Sequence, residues 1–113
     1  MAQLFIAGLL AHLVADWFLQ NEWMALNKVS LKHPAAWVHS GIHTVGALLV
    51  FPWTVALALG ISHILIDTRV PLQLWRKLYR QTQEGAIMVP FALWQDQAAH
   101  LILLCLAALY CGK

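Results

Sequence analysis

Long apolar runs separated by short polar segments set the pattern of this chain. Four runs stand out, at about residues 3–19, 35–51, 53–67 and 88–111, and isolated polar residues are the only breaks inside them. At ~1.5 Å rise per residue, helices of these lengths approach the ~30 Å hydrocarbon thickness of a bilayer. The third run is short, and Thr68 to Val70 or local thinning of the membrane would make up the difference. Pro34 suits a first helical turn, and Phe51-Pro52-Trp53 predicts a tight hairpin. Between the third and fourth runs, Leu72, Trp75, Leu78 and Tyr79 recur at helical spacing while Arg76, Lys77 and Arg80 fall elsewhere. That spacing predicts a short amphipathic interfacial helix over about residues 71–81. The expected fold is all-α: a single domain over residues 1–113, an integral membrane bundle of four transmembrane helices with the interfacial helix between helices three and four.

Composition strengthens the membrane reading. Apolar residues make up 61% of the chain and charged ones 11%, a balance that a soluble domain of this size could not cover with polar surface. Tryptophan, of which there are six, settles at bilayer interfaces. Lys28, Lys32, Arg69, Arg76, Lys77 and Arg80 all fall in the two longer connections, whereas Lys113 stands alone on the other side. The bias of basic residues toward the cytoplasm therefore predicts a multi-pass protein of the inner membrane with both termini outside the cytoplasm. No signal peptide is expected at the N-terminus, because a basic leader is missing and His12 and Asp16 interrupt the apolar run. A net charge of +2 is too small to suggest a nucleic-acid partner. Membrane lipids are the expected partners, together with further copies of the chain or a larger membrane complex. Cys105 and Cys111, six positions apart on one helix, do not face each other and read as small apolar fillers.

The polar residues inside the runs carry the chemistry. His12 and Asp16, His39 and His43, His63 and Asp67, and Asp96 and His100 form four pairs, each with a spacing of four that puts both members on one helix face. In an up-and-down bundle all four pairs fall at one depth, in the cytoplasmic half. His12, His43, His63 and His100 then form a deeper layer and Asp16, His39, Asp67 and Asp96 a layer ~6 Å nearer the cytoplasm. Three carboxylates in a membrane interior cost about 2.5–3.5 kcal/mol each, and no Lys or Arg lies in the runs at that depth to neutralise them. One or two divalent transition-metal ions, zinc or iron, would do so. Asp16, Asp67 and Asp96 are the candidate catalytic groups, bridging metals or acting as general base. Gln20 continues the face of His12 and Asp16, and Gln97 adjoins Asp96, so either could orient a ligand or touch substrate. His33 and Glu84 lack a partner at this spacing and read as surface residues.

A weak repeat aligns Ala7 to Asp16 with Ala58 to Asp67, and each copy is followed by a helix with a second pair, as expected of two related helical hairpins. His12-x-x-x-Asp16-x-x-Leu19-Gln20, His63-x-x-x-Asp67 and Asp96-Gln97-x-x-His100, in this order, resemble the uncharacterised bacterial and phage membrane family called domain of unknown function 3307. The layout is also similar to that of predicted membrane-bound metal-dependent hydrolases, a likeness of architecture rather than of activity. Three functions stay open: a metal-dependent hydrolase acting on a headgroup-level substrate, for which the nearby Arg76, Lys77 and Arg80 would favour an anionic lipid, an iron-dependent oxidase or hydroxylase, and a metal-binding or structural subunit without catalysis. Residue patterns for a serine triad, a phosphate-cradling glycine loop or a CxxC pair are missing from the sequence.

Overall fold

Local chemistry sets the starts of two helices in the first half of the chain. The computed structural model describes residues 1–81 and 85–112, and these form six α-helices and no strand. Helix α1 (Ala2–Trp17) opens the chain, and the backbone then turns into α2 (Glu22–Asn27). Asn21 begins that short helix by accepting a hydrogen bond from the Met24 amide at 3.0 Å, a side-chain cap with Glu22 behind it in the first turn. Helix α3 (Pro34–Leu48) has its proline in the first turn as expected, and His33 is its cap, with Nδ1 accepting from the Ala35 amide at 3.1 Å. His33 also packs edge-on against Trp23, so it is a half-buried junction residue and not a plain surface one. Glu84, paired with it in the sequence reading, lies outside the described residues.

After Phe51 and Pro52 the chain reverses into α4 (Trp53–Asp67), whose bounds match the apolar run. The helix does not borrow Thr68 to Val70 to grow longer. Thr68 Oγ1 donates to the Leu65 carbonyl, Arg69 takes a left-handed φ of 69°, and α5 (Val70–Leu78) departs at 66°. Helix α6 (Met88–Cys111) returns across the whole molecule.

Helix α3 packs on α4 and α1, and α6 on α1 and α4, so the four long helices close a ring in the order α1, α3, α4, α6. Small residues set the closest approach. A Cβ at Gly60 would collide with Thr44 Oγ1, and Ser40 donates a 2.7 Å hydrogen bond to the Gly60 carbonyl, so α3 and α4 approach closely. One end of the ring is sealed by Ala47, Phe51, Ala56, Leu104, Ala107 and Ala108. The other end encloses polar side chains: His12, Asp16, His39, His43, His63, Asp67, Arg76 and His100 are buried. Many large apolar side chains face outward instead, as at Ile6, Leu10, Trp17, Trp37, Val45, Trp53, Ile61, Trp94 and Ile102. Of the described helices, α6 with 24 residues is long and apolar enough to cross a membrane, α1 is apolar but shorter, and α4 with α5 passes only as a bent pair.

Candidate metal centre

Four helices each deliver two consecutive turns to one centre. The i and i+4 spacing sets His12 with Asp16, His39 with His43, His63 with Asp67 and Asp96 with His100 on the inward faces of α1, α3, α4 and α6. The imidazoles of His12, His43, His63 and His100 gather as a layer, with His43 stacked on His63 at 3.7 Å between centroids and His63 on His100 at 4.2 Å. The carboxylates do not form a separate second layer: their oxygens reach back to the ring nitrogens.

Two carboxylates act as hubs. Asp16 has His43 Nε2 at 2.8 Å, His12 Nε2 at 3.2 Å and His39 Nε2 at 3.3 Å. Asp67 has His63 Nε2 at 3.0 Å, His100 Nε2 at 3.2 Å and His39 Nε2 at 3.4 Å. His39, at 0% exposure the most buried of these side chains, stands between the hubs and touches both.

The directions of these contacts matter more than their lengths. The His43–Asp16 and His100–Asp67 contacts are aligned hydrogen bonds. The Nε2 atoms of His12, His39 and His63 are buried at 3.0–3.4 Å from a carboxylate oxygen yet have no hydrogen-bond partner. A buried polar atom left unpaired costs about 1–3 kcal/mol, so three around two carboxylates need a compensating group. Donors that share a transition-metal ion at bond lengths of about 2.0–2.2 Å lie about 3–3.5 Å from one another, the spacing seen here, and they aim at the ion rather than at each other. Two groups of buried donor atoms could hold an ion: Asp16, His39, His43 and His63, and His63, Asp67 and His100, the atoms of each lying within 4.8 Å of one another. Imidazole and carboxylate suit zinc and iron alike.

The sequence matches the family described as "Protein of unknown function (DUF3307)" over residues 4–113. The chain belongs to the DUF3307 family. No curated protein and no solved structure matches it.

Around the two donor groups the DUF3307 chain arranges its remaining polar residues unequally. His12 touches Asp16 but falls in neither group. Asp96 also stays outside: its Oδ2 is 3.7 Å from His100 Nε2, and the side chain is half-buried at the wall of a cavity of about 400 Å³. Asp16 and Asp67 line the same cavity, as do Gln20 and Gln97. Gln20 Oε1 is buried there without a hydrogen-bond partner, as a residue would be that awaits a bound molecule. On the opposite side of the imidazole layer lies a much smaller space of about 40 Å³, lined by His12, His43, His63 and His100 and by apolar side chains such as Phe51 and Leu104.

Two features of the DUF3307 site escaped the sequence reading, the inward reach of Lys28 and the burial of Arg76. Lys28 follows α2 and reaches inward until Nζ is 3.9 Å from Asp67 Oδ1, so a basic residue does approach the carboxylates, from a connection and not from a long helix. The capping signal Asn21-Glu22 could have revealed α2 and hence the inward course of its end. Arg76 was grouped with Lys77 and Arg80 on the polar face of α5, but it is buried, while Leu74, Trp75, Leu78 and Tyr79 are exposed.

Proposed function

We propose that this chain is a membrane-embedded metal-dependent hydrolase whose His/Asp centre acts on a substrate at headgroup level. The observation that carries the reading is the set of unpartnered Nε2 atoms of His12, His39 and His63, which converge on Asp16 and Asp67 beside an open cavity. The donor group of Asp16, His39, His43 and His63 would offer four ligands to one ion, and His63, Asp67 and His100 would offer three, with His63 available to only one of the two at a time. When bound, a divalent ion there would supply Lewis-acid activation of water or of a substrate carbonyl or phosphoryl oxygen. Asp96, on the cavity wall and held back from the donor groups, is placed to accept the proton that water gives up. Lys28 beside Asp67 offers positive charge to the group that leaves.

The membrane setting is supported by the inverted distribution of side chains, charged within and apolar without. In that setting α1, α3, α4 and α6 span the bilayer and the α4–α5 bend marks its cytoplasmic boundary. Helices α3 and α4, of 15 residues each, reach about 23 Å and draw the bilayer thin around the site. Both termini lie outside the cytoplasm, and a reporter fused at the C-terminus should be active only there.

Elemental analysis of the detergent-purified protein tests the centre: at least one zinc or iron per chain is expected. Hydrolysis of ester, phosphoester or amide amphiphiles in mixed micelles should cease on chelation and return with the metal. A metal-free protein that stays folded and active would overturn the proposal.

A further inference from the structure

The cavity beside the centre is lined by one buried cation that the hydrolytic reading does not use. Arg76 is 2% exposed, unlike its neighbours Lys77 and Arg80, and lines this cavity. Its Nη1 donates to Gln95 Oε1 at 2.8 Å, and Gln95 Nε2 donates in turn to Gln81 Oε1 at 3.0 Å, so the guanidinium is held by neutral amides. Its Nε is buried with no hydrogen-bond partner, and among the described residues no carboxylate pairs with the group. A buried guanidinium without an anion is costly, and its five fork-like donors match a tetrahedral oxyanion. Lys28 lines the same cavity and adds a second, partly buried cation.

We propose that this cavity is a phosphate-recognition site in which Arg76 and Lys28 hold the phosphate group of the molecule that reaches the metal centre. The proposal rests on the metal-centre reading for its orientation: the phosphate sits between the cations and the donor group of Asp67. An apolar strip from the start of α6, formed by Val89, Ala92 and Leu93, continues the cavity wall and gives room to an apolar substituent. Charge couples the two sites. Lys28, Arg69 and Arg76 balance Asp16, Asp67 and Asp96 around the cavity, so an added divalent ion makes it net cationic. Phosphate therefore binds more tightly to the metal-loaded protein, and by linkage metal binds more tightly when phosphate is present.

The test is calorimetric titration of the full chain in zwitterionic nanodiscs, zinc-loaded and chelated, with inorganic phosphate and with short-chain phosphatidic acid as probes. Metal content is measured on each sample. Lys28→Gln and Arg76→Lys should each weaken binding by about tenfold or more, through loss of a charge-assisted contact in the first and of the guanidinium fork in the second. Lys77→Gln, at an exposed position outside the cavity, should leave it unchanged. Tighter binding of phosphatidic acid than of inorganic phosphate identifies a lipid headgroup as the source, and equal binding identifies a soluble phosphate compound. Wild-type affinity in both cavity variants, or no saturable binding of either probe to zinc-loaded protein, would overturn the proposal while leaving the metal centre standing. Samples that bind no zinc would remove the metal centre instead, and phosphate affinity that still depends on Lys28 and Arg76 in them would keep the phosphate site.

Discussion

The two helical hairpins of this DUF3307 protein repeat one design with one change. In the first, α1 carries His12 and Asp16 and α3 carries His39 and His43; in the second, α4 carries His63 and Asp67 and α6 carries Asp96 and His100. Asp16 bonds His43, and at the corresponding place Asp67 bonds His100. The difference is the residue a turn away: His39 is fully buried between both carboxylates, whereas Asp96 stands off from the donors and faces the cavity. A duplicated face thus carries a buried imidazole in one half and a cavity-facing carboxylate in the other. A single exchange of imidazole for carboxylate separates them.

The comparison breaks most visibly at the hubs. Asp67→Ala should abolish metal-dependent turnover and destabilise the protein by roughly 3–5 kcal/mol, because buried imidazoles and Lys28 lose their shared partner. Asp16→Ala should cost comparable stability but leave an ion bound with His63, Asp67 and His100, detectable by elemental analysis. Equal loss of metal and turnover in the two variants would show that the halves do not differ. Asp96→Asn sharpens the contrast: turnover should fall by roughly 10²–10⁴-fold with metal content unchanged, since the lost group is a base and not a ligand. If that variant loses its metal, Asp96 belongs to the donor set.

Smaller effects test the seam between the hairpins. Gly60→Ala should lower the melting temperature by an amount corresponding to about 1–3 kcal/mol, because the new methyl meets Thr44 at the closest helix contact. Gly46→Ala is the control within the first hairpin, where a Cβ would make an ordinary 3.5 Å contact with Ala11, and its melting temperature should hardly move. A modest effect is expected of His33→Leu, which removes a helix cap worth ~1 kcal/mol and should leave metal content untouched. Melting curves with and without chelator separate these variants from the hub variants, whose chelator response should shrink.

The pattern within each long helix was legible before the structure, and the pattern between helices and connections was not. The spacing of His12 to Asp16 and of its three counterparts follows from the helical period alone, so it marked eight inward residues without knowledge of the packing. The same period placed α4 correctly and missed the ends of α1 and α3 by about two to three residues, where turns tighten. The inward reach of Lys28 and the burial of Arg76 were invisible because both depend on how the short helices that carry them are turned. The reach of Lys28 to Asp67 is set by how α2 folds back, and the inward turn of Arg76 by the 66° bend after α4. Neither leaves a periodic trace. The separation of Asp96 from the donors was equally hidden, since equal spacing in all four pairs implied equal roles.

His63 belongs to both donor groups, yet one of its ring nitrogens can serve only one ion at a time. An ion seated with Asp16, His39 and His43 that takes His63 as its fourth ligand leaves Asp67 and His100 as a two-donor remnant. An ion that takes His63 with Asp67 and His100 leaves the first group with three. Two ions would therefore load with negative cooperativity, the second more weakly than the first, and scarcity of metal would be felt first in the half left without His63. A single imidazole would make the protein's activity a graded readout of metal supply rather than an all-or-none one.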